Sequence, residues 1–247
     1  MQIFKKTILL ISTFGLSITS YFSYGDQTIT LNMRTRTEKT PGNNQWQEET
    51  IVKDFDTERI ALLICDVWEK HWCKTMTTRT ERIAYKAAPI VESLRNRGAK
   101  IIHAPSGCME YYRKKGIPVP IDARNCCPCK PRCKIGKTGP RQHPAIKTHE
   151  KDLVSDNVNE IWNLIEQHVI ELVIIMGVHT NMCILNRPFG IKAMVKRGMP
   201  VVLVRDLTDA AYNPRQYPFV SKNEATELVV QWIEKCYCPS ILSTDLL

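Results

Sequence analysis

Past residue 25 the 247-residue sequence has no apolar run of the roughly 20 residues that a membrane-spanning helix needs, so stable membrane insertion is not expected. It also lacks a basic stripe or a nucleic-acid-binding motif. The 34 Lys and Arg residues are interspersed with 25 Asp and Glu, and the formal charge of +9 reads as a solvated surface. No nucleic acid is therefore expected as a partner. HxH and HExxH spacings are missing, as are two separated CxxC arms. No metal or other cofactor is expected, and a loose grouping of Asp66, His71 and His103 is the one metal alternative outside the cysteine-rich segment.

What is present begins with a targeting signature. Lys5 and Lys6 precede an apolar stretch from Thr7 to Phe22, with Ser23 and Gly25 at a position suited to signal peptidase. Residues 1–25 are read as a cleaved signal peptide, with the mature chain exported, periplasmic or secreted. Ser12, Thr13, Ser17, Thr19 and Ser20 interrupt the stretch and make it a poor permanent anchor. The ten cysteines suit an oxidising compartment, and four crowd into Cys126-Cys127-Pro128-Cys129 and Cys133, where disulfides or a zinc knot are the alternatives.

Residues 26–57 alternate weakly around the turn Pro41-Gly42-Asn43-Asn44, which predicts an N-terminal β-hairpin extension. From residue 58 to 247 a single domain is expected. Short continuous apolar runs, the pattern of strands covered on both faces, occur at Ile60 to Cys65, Lys100 to Ala104, Ala145 to Thr148, Leu172 to Met176, Val201 to Val204 and Tyr237 to Leu242. Helical spacing fills Arg79 to Arg97, Asn159 to His168, Ile184 to Arg197 and Lys222 to Lys235. The alternation predicts an α/β fold: a three-layer α/β/α sandwich around a doubly wound, mainly parallel six-stranded sheet. Residues 108–143, rich in Pro, Gly, Cys and Lys, fit neither period and read as a Cys-rich insertion.

Ligands of an open parallel sheet bind beyond the carboxyl ends of its strands. The residues there are Asp66 after the first strand, His103 in the second, His149, Glu150 and Lys151 after the third, His179 to Cys183 after the fourth and Asp206 in the fifth. Cys183 follows a polar turn at the start of a helical stretch, where free backbone N–H groups would lower a thiol's pKa and make it a nucleophile. Asp66 is a candidate acid or base, and Trp68, His71 and Trp72 beside it suggest a pocket wall.

Three segments together resemble the isochorismatase-like cysteine hydrolases, which include nicotinamidases: Leu62-Leu63-Ile64-Cys65-Asp66, Gly177-Val178-His179-Thr180-Asn181-Met182-Cys183, and Val201 through Ala210. The resemblance implies an Asp, Lys and Cys triad. Asp66 would be the base for the Cys183 thiol, and a lysine after the third strand would hold both in place. That lysine maps to Lys151, with Lys147 as the other candidate and Glu150 as a residue that could stand in its position. The resemblance also implies a cis peptide at Val178-His179 and oxyanion donors among the amides near Met182 and Cys183.

The function so implied is hydrolysis of a small amide-type C–N bond by thiolate attack, on a small-molecule substrate bound among Trp68, Trp72, His103, Glu150, Val178, His179 and Met182. Two readings stand beside it: a catalytically impaired relative that binds a small ligand or partner, and a metal-stabilised interaction module built on the insertion. Members of this fold often pair through helices, so a homo-oligomer is compatible with the resemblance.

Overall fold

The computed structural model describes residues 27–114, 139 and 141–247. The proposed signal peptide and the cysteines at 126, 127, 129 and 133 lie outside the described residues.

Strands β3 (Ile60–Cys65), β4 (Lys100–Ala104), β6 (Leu172–Val178) and β7 (Val201–Asp209) form the parallel centre of one eight-stranded sheet. β3 and β6 are buried along their whole length, which is why they read as unbroken apolar runs rather than alternating ones. Side chains still alternate between faces. Leu62, Ile64, Ile174, Met176, Val202 and Val204 pack on α1 (Lys74–Asn96) through Ile83, Ala87, Ile90, Val91 and Leu94. Ala61, Leu63, Val173, Ile175 and Leu203 face the opposite core, with α3 (Val158–Gln167), α4 (Ile191–Lys196) and α5 (Lys222–Cys236). The result is the expected three-layer sandwich.

Two details depart from expectation. The N-terminal hairpin, β1 (Thr28–Glu38) and β2 (Trp46–Asp56), is not an appendage. It extends the sheet through an antiparallel contact of Arg34 with Ser240 in the short strand β8 (Ser240–Ile241); with β5 (Leu153–Val154) the order is β2-β1-β8-β7-β6-β3-β4-β5, eight strands instead of six. Buried Glu234 on α5 anchors it, accepting from Arg34 Nε at 2.7 Å, from Arg36 Nε at 3.0 Å and from the Ser240 hydroxyl at 2.5 Å. Secondly, Ala145 to Thr148 is not a strand. The third parallel strand is β5, only Leu153–Val154, placed by pairing with Ile102 and His103 of β4. The short α2 (Met109–Lys114) precedes the undescribed part of the insertion.

Strand order reverses between β3 and β6, because β4 and β5 lie on one side of β3 while β6, β7 and β8 lie on the other. Such a switch point opens a crevice at the carboxyl ends of the two flanking strands. Here those ends close tightly. Gly177 pairs with Cys65 at φ +120°, and a Cβ at Gly177 would stand 1.9 Å from the Cys65 carbonyl oxygen, so no other residue fits. The chain leaves β3 through Asp66 in a left-handed conformation, φ +55°.

Candidate active site

Asp66 and Cys183 meet at this switch point. Asp66 is fully buried, and its carboxylate is held from several sides. Oδ1 accepts the Ser106 backbone N–H at 2.7 Å, while Oδ2 accepts two N–H groups of Arg187, from Nε at 3.1 Å and from Nη2 at 2.9 Å. The Cys183 thiol faces the same carboxylate in a loose S–H···O contact. The His179 backbone N–H is directed at the sulfur, and the Val178-His179 peptide just before it is cis, as the resemblance implied.

Arg187 is the residue that sequence reasoning missed. It lies one helical turn after Cys183, its backbone N–H donating to the Cys183 carbonyl at 3.0 Å. That turn brings its side chain back toward the thiol, since positions four apart share a helix face. The apolar spacing predicts a continuous helix from Ile184 to Arg197. Instead a wide turn over Thr180–Ile184 leads to Pro188, and α4 starts only at Ile191.

The lysine expected after the third strand is not in this group. Because β5 starts at Leu153, Lys147, Glu150 and Lys151 come before the strand and not after it. All three sit toward its amino end, and the segment leaving its carboxyl end is Ser155-Asp156-Asn157. Among the described residues, Arg187 is the ion-pair partner of Asp66. Glu150 is likewise displaced from the proposed substrate wall.

His103 is also committed elsewhere. Its Nε2–H donates to Asp152 Oδ2 at 2.9 Å, which leaves Nδ1 to accept from Gln142 Nε2 at 2.9 Å. Burial opposes the Asp152 charge, but His103, two N–H groups of Arg95 and the His149 amide outweigh it and hold this carboxyl well below the usual range. The set pins the segment before β5 to α1. It leaves His103, wholly buried, with no free nitrogen for a substrate.

The aromatic residues after Asp66 cluster with His179, and none of them lines the cavity at Cys183. Trp68 is buried, its indole N–H donating to the Ser106 carbonyl at 3.2 Å. The His71 ring sits 4.7 Å from that of Trp72, which is exposed, and meets His179 edge-on at 5.2 Å. Burial first, then the neighbouring His179 and Lys222, lowers the His71 pKa to about 4, so this imidazole is neutral at pH 7. His179 is buried and likewise shifted down, chiefly by burial. Its Nδ1 lies 3.2 Å from the Asp209 carbonyl, which fixes the proton there and leaves Nε2 a buried acceptor without a partner among the described residues. Val178 is fully buried behind the turn, and Met182 is exposed at the mouth of the site.

The Cys183 thiol departs from expectation in sign. Burial foremost, with the charge of Asp66, pushes it up to about 12, and Arg187 only partly offsets this. A thiol at the start of a helical turn was expected to be acidified, but here the proton is held on sulfur. The Met182 amide is also spent, donating to the His179 carbonyl at 2.9 Å, so it is not a free oxyanion donor. No three His, Cys, Asp or Glu side chains converge as a metal-ligand set among the described residues, and the six described cysteines are free thiols. No helix among those residues is long and apolar enough to cross a membrane.

The sequence matches no family model and no curated protein. The fold is matched by solved structures. A cysteine hydrolase from Pseudomonas syringae pv. phaseolicola superposes with a TM-score of 0.55 at 16% identity, over 78% of this chain and 92% of that one. An isochorismatase from Pseudomonas putida does so with a TM-score of 0.56 at 11% identity, over 78% and 92%. The chain has the isochorismatase-like fold.

Proposed function

We propose that the chain is a cysteine hydrolase that cleaves a small amide-type C–N bond, with Cys183 as nucleophile, Asp66 as general base and Arg187 as the cation that steadies the carboxylate. One observation carries this reading: a fully buried carboxylate faces the thiol while a guanidinium and a backbone amide hold it in place. In the reaction so assigned, the Cys183 proton passes to Asp66 as the sulfur attacks the carbonyl carbon. The Cys183 backbone N–H receives the oxyanion, and the unpaired His179 Nε2 can accept a substrate N–H. As the C–N bond breaks, Asp66 gives its proton to the departing amine. A water, deprotonated by Asp66, then attacks the thioester carbonyl and releases the acid, and the proton returns to sulfur.

A thiol pushed up to about 12 favours the second reading, an impaired relative that binds a small ligand. Both are tested by screening ammonia release from primary amides with the native protein and Cys183→Ala. Turnover lost in the variant is the expected result, and absence of turnover in both proteins would refute the hydrolase reading. We also propose that the chain acts after export, from Lys5, Lys6 and the apolar stretch beyond them. The mass of the mature protein tests this, with cleavage after Gly25 expected.

A further inference from the structure

The N-terminal hairpin leaves one long strand edge open. β2 ends the sheet, with β1 on one side and no strand on the other among the described residues. Which of its backbone groups are free follows from the register. The pairing of β1 with β2 runs without a shift, and just beyond its two ends the Lys39 N–H donates to the Gln45 carbonyl and the Thr57 N–H to the Gln27 carbonyl. Both are opposite residues in that register, so the exchange of N–H and C=O with β1 falls on Gln47, Glu49, Ile51, Lys53 and Phe55. The alternate residues, Trp46, Glu48, Thr50, Val52, Asp54 and Asp56, turn both backbone groups outward. The opposite edge of the sheet is β5, whose two residues are too short to template a strand. β2 has eleven residues, with no proline and no bulge to blunt it. Ile51 and Val52 at its middle are 50% and 63% exposed.

The side chains select what can pair there. When two copies join antiparallel about a two-fold axis, outward residues must face outward residues, and one residue of β2 then stands opposite itself. The midpoint of the strand is Ile51, and centring there is the one register in which the two strands overlap along their whole length. It sets Thr50 opposite Val52, Glu48 opposite Asp54 and Trp46 opposite Asp56 as hydrogen-bonded pairs, so all six outward residues of each copy are used. It also sets Ile51 against Ile51, and Glu49 against Lys53 on both sides of the axis, in the closer pairs that lack hydrogen bonds. Glu49 has only the uncharged partners Thr37 and Gln47, and Lys53 rests over the Phe55 ring with no carboxylate in ion-pair contact among the described residues. Like charges meet at Glu48 and Asp54. Glu48, however, already lies 3.0 Å from Arg36 and 3.6 Å from Arg34, and Asp54 accepts the Thr30 hydroxyl at 2.7 Å. Centring on Thr50 or Val52 loses both Glu49–Lys53 pairs and sets Ile51 against a charge instead. We propose that a second copy of this chain pairs antiparallel along β2, about a two-fold axis at Ile51, so that the sheet continues from one protomer into its partner. The pairing is independent of the hydrolase reading.

Sedimentation of the purified protein should show a dimer. Ile51→Cys places two thiols opposite each other with Cα atoms about 4.5 Å apart, within the span of a disulfide. Mild oxidation should then give a covalent dimer well in excess of any formed by the native protein or by Glu49→Cys, whose two copies lie about 14 Å apart in this register. Val52→Pro removes an outward N–H without touching the ladder to β1, and should leave a folded monomer. Glu49→Lys and Lys53→Glu should each raise the dimer dissociation constant about tenfold or more, and the double reversal should restore it. A native protein that sediments as a monomer overturns the proposal. So does a dimer that survives Val52→Pro and both charge reversals, because it pairs through another surface. A dimer weakened by Val52→Pro but indifferent to the reversals overturns the register at Ile51. If Val52→Pro does not fold, the reversals and the Ile51→Cys cross-link, all at exposed side chains, still decide.

Discussion

Arg187→Gln removes the cation from a carboxylate that has no access to solvent. Breaking a buried ion pair from one side costs about 3–5 kcal/mol, because the remaining charge is stranded. Here the cost should fall lower, at about 2–3 kcal/mol, since Asp66 keeps the Ser106 N–H and the guanidinium is itself one-third exposed. For a chain of this size each kcal/mol shifts Tm by about 2–4 °C, so a drop of about 4–12 °C is expected. Asp66→Asn should cost less, because the released guanidinium can turn to water. The double variant Asp66→Asn/Arg187→Gln should then be more stable than the sum of the two losses predicts, by at least about 1 kcal/mol. Thermal or urea unfolding of the four proteins gives this coupling directly. Additivity within about 0.5 kcal/mol would refute the claim that the two side chains act as a pair. Arg187→Lys should recover only part of the loss, since an ammonium cannot reproduce the two N–H bonds from Nε and Nη2.

The charges around the site carry further outcomes. With its pKa near 12, the Cys183 thiol should be alkylated about tenfold faster for each pH unit between 7 and 10, and a plateau below pH 9 would contradict the burial argument. Asp152 titrates lower in the fold than in the unfolded chain, so its contribution is complete above about pH 4 and is lost as pH falls through the folded value. Asp152→Asn should therefore lower the urea midpoint at pH 6 and flatten its fall toward pH 3; an unchanged slope would argue against the His103–Asp152–Arg95 network. His71 has a folded pKa of about 4 against about 6.5 unfolded, so acid charges the unfolded chain first, and stability is lost between those values. His71→Phe should remove on the order of 2 kcal/mol of that loss, an amount below the full shift because Trp72 beside it is open to water. Unfolding at pH 7 and pH 4.5 measures it, and equal pH sensitivity in the two proteins would sink the assignment.

How much of this was legible in the sequence depends on how long each element is. β3 and β4 were readable to the residue because buried parallel strands are unbroken apolar runs bounded by polar turns. β5 and β8 were not, since a two-residue strand carries no period and is defined only by its neighbours. The apolar residues at 145 and 146 offered a false third strand, although Ile146 is buried against the α1 face of the core as part of a loop. The hairpin was visible from its turn. Its continuity with the sheet was not, because that depends on Glu234 gathering Arg34 and Arg36 from about 200 residues away.

The same error set where a cation was sought. Placing the third strand at Ala145 put Lys147, Glu150 and Lys151 near the carboxyl edge of the sheet, whereas pairing of Leu153 with Ile102 puts them on the amino side. The signal that would have found Arg187 was local: a basic residue four positions after the nucleophile, with a proline next to it that confines the helical turn. Its partner Asp66 lies 121 residues earlier, so spacing alone could not pair them. What joins them is the switch point, where Gly177 lets β6 approach β3 until a turn after one strand and a residue after the other share a site. A cation supplied from the nucleophile's own turn is fixed relative to the thiol by one backbone hydrogen bond, and is independent of the insertion. Changes in residues 108–143 should consequently leave the pairing of Asp66 with Arg187 unchanged, and the Tm penalty of Arg187→Gln should be the same in a chain whose insertion has been shortened.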